Sequence, residues 1–267
     1  MEFLKSVRRR RSLVSELVYM ILNVALAVAV TLVVFYTGSI WLAISLIIVS
    51  KWRVFAVRPR YWWVNFQSNL VDFVVSVGHV VHMTLVNESA MATQYKLLLL
   101  GILTTMYITW LLVIKPRSTR NMVGLQAGVA VLFGSSALFA ISYAWPASLV
   151  VLGIWLVGYV SARHVLSSYD NEAHGSFLSF VWGFVFAEIG WVAYHWTVAY
   201  SLPIFHSVQM PQVAIIVTLL SFAAYKVYDS FYHHQRVRSN DILLPILLVI
   251  SSIVVLLLLF NRIGTAI

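Results

Sequence analysis

Two carboxylates, Asp72 and Glu188, lie inside long apolar runs, and each is followed seven residues later by an imidazole, His79 and His195. The run around Asp72 also carries Asn65, Asn69 and Ser76. At the 3.6-residue helical period, Asn65, Asn69, Asp72, Ser76 and His79 fall within roughly 80° of one helix face. Lipid offers no hydrogen-bond partners, so this stripe must meet protein or water. An ionised Asp at mid-membrane costs at least about 3 kcal/mol, so a counter-charge, a bound proton, a hydrated cavity or a metal must offset it. The same arithmetic puts Phe184, Glu188, Trp191 and His195 on one face of a second helix. If the two faces meet, two carboxylates and two or three imidazoles (His79, His195 and His82) line one cavity. That set relays protons, or binds a divalent cation of the Zn, Mn or Fe kind. The i,i+3 spacing of His79 and His82 matches no metal motif, so no residue is assigned to a metal and no cofactor is assigned. The competing reading makes these groups interhelical glue, contributing about 0.6 kcal/mol each.

The elements that position these residues are membrane helices. The chain is 61% hydrophobic and only 10% charged over 267 residues; soluble domains carry about 25% charged residues. With about 20 apolar residues needed per crossing, the sequence predicts an all-α integral membrane protein of about nine transmembrane helices. They run over Leu13–Tyr36, Ile40–Phe55, Trp62–Val86, Ala92–Ile114, Asn121–Tyr143, Ala147–Val165, Gly175–Ala199, Val213–Phe231 and Asp241–Phe260. The whole of 1–267 is read as one polytopic domain with no soluble domain. The outer connection Ser201 to Gln212, with Pro203 and Pro211, is expected to be the longest on its side.

Charge sets the orientation. Of eighteen Lys and Arg residues, two (Lys96 and Arg262) fall in alternate breaks, leaving sixteen on the other side. Those sixteen include Arg8 to Arg11, Lys51 to Arg60, Lys115 to Arg120, Arg163 and Lys226 to Arg238. Cytoplasmic loops carry the excess of Lys and Arg, which predicts an inner N-terminus and an outer C-terminus. The first apolar run is too long for a signal-peptide core and reads as a retained helix. Lys51 and Arg53 are expected to snorkel to the inner headgroups. Trp52, Trp62, Trp63 and Trp110 form the inner aromatic belt, and Trp41, Trp145 and Trp196 the outer one. Arg58 and Arg60 with Trp62 and Trp63 suit a lipid headgroup phosphate. The net charge of +9 is spread over short loops, which is a topology pattern and not a nucleic-acid surface. The partners expected are the bilayer itself and a homo-oligomer or membrane complex. Short loops and the absence of cysteine point to a bacterial cytoplasmic membrane, and exclude disulfides, thiolate metal sites and Cys nucleophiles.

Helices 3 and 7 share the carboxylate–imidazole spacing. Tyr107 and Lys115 correspond to Tyr225 and His233, and Arg53 to Arg163. This suggests parallel repeat halves, 1–115 and 116–233, with an extra helix over 241–260, a plan that places sites at the repeat interface. Lys226 is expected to pair with Asp229 at i+3, His233 and His234 to face headgroups, and Gly124 and Gly128 to let helices approach closely.

No P-loop, HExxH, GxSxG or dinucleotide fingerprint is present. The leading expectation is a small proton- or cation-coupled transporter or permeation subunit using Asp72, Glu188, His79, His195, Asn69 and Ser76. The alternatives are a non-catalytic scaffold or complex subunit, and an enzyme acting on a lipid or lipid-linked substrate.

Overall fold

The computed structural model describes residues 13–52, 56, 58–170, 172–196, 199–201 and 209–259. The Arg8 to Arg11 cluster, Arg53, Pro203 and Arg262 lie outside the described residues. Nine α-helices run along the described chain: α1 Leu13–Thr37, α2 Ile40–Ser50, α3 Trp62–Glu88, α4 Thr93–Thr109, α5 Arg120–Ile141, α6 Ala147–Leu166, α7 Gly175–His195, α8 Gln212–His234 and α9 Ser239–Leu259. A π-helical turn, Trp110–Ile114, extends α4, and a short 3-10 turn, Pro59–Tyr61, leads into α3. Eight of these helices are long and apolar enough to cross a membrane, so the chain is a multi-pass membrane protein.

The exception is α2. The sequence predicts it to continue to Phe55, but it stops at Ser50 after 11 residues. It is therefore only about 16 Å long, against a hydrocarbon core of about 30 Å. Its start is well fixed: Gly38 turns the chain at φ +63°, where a side chain would be strained, and Ser39 caps the helix by accepting from the Leu42 amide at 3.4 Å. Because α2 is short, Lys51 ends up among helices and does not extend past them. The connection after α7 also differs from a plain loop. Helix α7 ends at His195, before the predicted Ala199, and β1 Ala199–Ser201 pairs antiparallel with β2 Gln209–Pro211.

Two cores stand side by side. One holds Val30, Ile47, Met83 and Leu100 from α1–α4; the other holds Val131, Ile154, Phe186 and Val217 from α5–α8. Val74 of α3 packs against both. Helix α3 is the hub, with α1, α2, α4, α5 and α6 around it. At Gly78 an added Cβ would lie 2.9 Å from the Phe133 carbonyl oxygen, so the α3 and α5 backbones approach as closely as only glycine permits. Helix α7 packs chiefly on α6, and α9 lies on α8 with Leu244 and Leu258 exposed.

Hydrogen bonds tie one end of the bundle together. Gln126 near the start of α5 donates to the carbonyls of Ile114 and Arg117, and its Oε1 lies 2.7 Å from His164 Nε2 near the end of α6. The Lys115–Arg120 loop, Arg163 and the end of α8 all gather at this basic end. Trp41, Trp145 and Trp196 are exposed, as are Trp52, Trp62 and Trp63. Trp110 is not: it is 2% exposed, so it belongs to the core and not to an aromatic belt.

Candidate functional site: a buried carboxylate between two lysines

Asp72 sits ten residues into α3 and is 5% exposed. Its counter-charges come from the ends of two neighbouring helices. Lys51, just past the end of α2, pairs with Oδ2. Lys115, just past the π turn of α4, reaches the same oxygen at 2.6 Å. The indole N–H of Trp110 donates to Oδ1 at 2.9 Å. Lys51 also donates to Ser76 Oγ at 3.2 Å, and the Tyr107 hydroxyl donates to the same Ser76 oxygen at 3.1 Å. Phe73 covers the Lys51 ammonium, its ring centroid 5.1 Å away.

The π turn explains how α4 supplies two ligands. Trp110 and Lys115 are five residues apart, which on an α-helix is about 140° and on different faces. The turn closes an i→i+5 bond from the Lys115 amide to the Trp110 carbonyl at 2.9 Å. Both side chains then point at Asp72. Such turns interrupt α-helices frequently at functional sites.

The sequence predicts Lys51 at the headgroups; its side chain is 7% exposed, like that of Asp72. The correction follows from the length of α2, which ends too early for snorkelling. The Lys115 side chain remains 35% exposed, so the cluster has one occluded cation and one that reaches the basic end. Two ammoniums and one carboxylate sum to +1.

Further along α3, His79 is buried and stacks on Phe133 with centroids 4.1 Å apart. Its Nδ1 lies 2.9 Å from the Val75 carbonyl, so the proton is assigned to Nδ1 and Nε2 is left as an acceptor. That Nε2 is buried with no hydrogen-bond partner among the described residues. The Tyr107 ring is 5.1 Å from the His79 ring. Lys115, Asp72, Lys51, Ser76 and Tyr107 therefore form one continuous hydrogen-bonded run that ends at Tyr107, next to the His79 ring. His82 is separate: its Nε2 lies 3.0 Å from Ser136 Oγ.

The other predicted residues are not drawn into this cluster. Asn69 donates to the Asn65 carbonyl at 2.8 Å. Glu188 is exposed on α7 and makes no hydrogen bond or ion pair among the described residues. Phe184, Trp191 and His195 are exposed on the same face, with His195 Nδ1 2.8 Å from the Trp191 carbonyl. The stripes of α3 and α7 do not share a cavity, because α7 packs on α6 and presents its polar face outward. Arg58, Arg60, Trp62 and Trp63 are exposed at the start of α3, with Arg60 over the Tyr61 ring. No group of three or more His, Asp or Glu residues able to hold a metal is found among the described residues.

A second polar network closes the same end. Tyr169 donates to Asp229 Oδ1 at 3.0 Å, and Arg120 lies over the Tyr169 ring and 3.9 Å from the same carboxylate oxygen. His233 accepts from Arg120 at 3.0 Å, and His234 lies 3.4 Å from Asp241. Both histidines therefore have side-chain partners, while His233 remains exposed. Asp229 is taken, so Lys226 does not pair with it as the i+3 spacing suggests.

Sequence reasoning singled out Asp72, Ser76 and His79 but missed Lys51, Lys115, Trp110 and Tyr107 as their partners. The available signal was the short apolar stretch of segment 2, which leaves Lys51 too early in the chain to reach the surface. Compared with known proteins, the chain matches no protein family, no curated protein and no solved structure.

Proposed function

We propose that the protein is a small proton-coupled membrane transporter or permeation subunit centred on Asp72. One observation carries the reading: the hydrogen-bonded run from the partly exposed Lys115 through Asp72, Lys51 and Ser76 to Tyr107, whose ring centroid lies 5.1 Å from that of His79. Release of one proton brings the +1 cluster to neutrality, and rebinding restores the charge. Asp72 can then be held by either lysine, one reaching the basic end and one occluded. Protons suit the site better than metal ions, because both Asp72 oxygens already accept from nitrogen donors. In this reading His79 carries protons onward, while Asn69 lines the approach. Glu188 and His195 serve a separate outward-facing path or a contact with another subunit.

The basic end is assigned to the cytoplasm by the positive-inside rule, and the membrane to the bacterial cytoplasmic membrane. The parallel repeat gains support from shared neighbours: α1 lies beside α2 and α4, and α5 beside α6 and α8. The environments of Asp72 and Glu188 nonetheless differ, one buried and one exposed.

A second reading, a structural subunit, is favoured by the full satisfaction of the Asp72 oxygens. Proton flux separates the two. Purified protein in vesicles loaded with a pH-sensitive dye is expected to dissipate an imposed pH gradient, and Asp72→Asn to abolish this. Wild-type flux from Asp72→Asn overturns the transport reading.

A further inference from the structure

A large cavity lies away from the Asp72 cluster. It has a volume of about 1010 Å³ and lies between α5, α6, α7 and α8. Gly124 and Gly128 of α5, Trp182 of α7 and Ser221, Tyr225 and Lys226 of α8 are among its walls. Most of the lining is aliphatic or aromatic. Gly128 has no atom within 4 Å of where a Cβ would stand, so this glycine opens space where close helix packing is expected. Leu125 and Phe222 line the cavity and are 47% and 40% exposed, so the cavity opens sideways on the lipid-facing surface. Along α5 its walls run from Asn121 to Leu132, eleven steps or about 16 Å. That is about half of a 30 Å hydrocarbon core.

The polar groups on the wall are few, and Ser161, Thr218, Tyr225 and Tyr228 are hydrogen-bonded within the protein. Ser221 Oγ is the exception, buried with no hydrogen-bond partner among the described residues. Lys226 lies eight residues before the end of α8 and has no acidic partner among the described residues. Its Nζ lies 5.7 and 5.9 Å from the centroids of the Tyr225 and Phe222 rings. Asp229, the one carboxylate close to it in sequence, is held by Arg120, His233 and Tyr169. A cation at the wall of an apolar, lipid-accessible cavity calls for an anion that brings its own hydrocarbon.

We propose that this cavity binds an anionic membrane phospholipid, with acyl chain between α5 and α8 and the headgroup phosphate on Lys226. A volume near the upper end of ligand pockets, about 300–1,000 Å³, with a mostly apolar lining and few polar groups, suits an amphipathic ligand.

The test uses the full chain, delipidated in detergent and titrated with dioleoylphosphatidylglycerol, dioleoylphosphatidylcholine or inorganic phosphate. Native mass spectrometry reads occupancy, and thermal denaturation reads the shift. Wild type is expected to bind phosphatidylglycerol saturably, at least tenfold more tightly than phosphatidylcholine, and not to respond to phosphate. Lys226→Gln removes the preference between the two lipids. Gly128→Leu fills the cavity and removes both; Ser221→Leu serves the same purpose should Gly128→Leu not fold. An equal response to both lipids in wild type, or an unchanged preference in Lys226→Gln, overturns the proposal. So does lipid binding that survives the filled cavity, a response to phosphate alone, or a lipid-free dimer that Gly128→Leu disperses.

Discussion

Replacing Asp72 by asparagine keeps the side-chain volume and removes the one negative charge that two ammoniums share. The two lysines are not equally affected. Lys115 is 35% exposed and can turn to the surface, whereas Lys51 is 7% exposed and cannot. Removing one partner of a buried ion pair costs about 3–5 kcal/mol, because the other charge stays buried. The Trp110 bond to Oδ1 at 2.9 Å survives in asparagine, so the lower end, about 3 kcal/mol, is expected. For a chain of this size that is a fall in Tm of roughly 6–12 °C. Lys115→Met should cost less than about 1 kcal/mol, since Asp72 keeps Lys51. The double variant Lys51→Met/Asp72→Asn should recover most of the loss, because a buried pair exchanged for neutral groups is often neutral or stabilising. The assay is thermal denaturation in detergent, arranged as a double-mutant cycle. Asp72→Asn melting at or above wild type, or a double variant that melts no higher than Asp72→Asn, would refute the pairing.

Three further outcomes are expected. Gly78→Ala sets a Cβ 2.9 Å from the Phe133 carbonyl oxygen and should destabilise by about 1–3 kcal/mol through forced separation of α3 and α5, while Gly128→Ala, with open space, changes Tm little; equal Tm values for the two would contradict the close approach. Glu188→Gln removes an exposed, unpartnered carboxylate and should stay within about 0.5 kcal/mol of wild type, so a Tm loss as large as that of Asp72→Asn would show an unseen partner. Glu172, in the α6–α7 connection, accepts from the Tyr228 hydroxyl, which holds its carboxyl below the usual value of 4.5. A carboxylate lowered in the folded state stabilises above its unfolded value, and that stability is lost as pH falls through the folded one. Tyr228→Phe should therefore lower Tm at pH 6 and converge with wild type toward pH 3; a gap that persists in acid would refute the assignment.

Much of the site was legible in the sequence because membrane burial makes polar residues conspicuous. The stripe of Asp72, Ser76 and His79 follows from helical period alone, and α3 buries all three. What surrounds them was not legible, for particular reasons. Lys51 and Trp110 have the types and positions of interface residues, and only the early end of α2 and the π turn redirect them. A π turn leaves no composition signal in Trp110–Ile114. Glu188 carries the same spacing as Asp72, yet helix adjacency, which period does not encode, leaves it facing out. Gly124 and Gly128 read as a packing motif, but their outcome depends on what the partner helix offers: Tyr225 fills the space at Gly124, and nothing fills it at Gly128.

Under the proposed function the buried Asp72–Lys51 pair serves proton transfer, and the fold does not require the pair as a whole. The most direct measurement is proton flux into dye-loaded vesicles by wild type, Asp72→Asn and Lys51→Met/Asp72→Asn, each checked for folding by its Tm. Flux is expected from wild type and none from the double variant, although the double variant is folded. Wild-type flux from the double variant, or wild-type vesicles no leakier than empty ones, would contradict the proposed function.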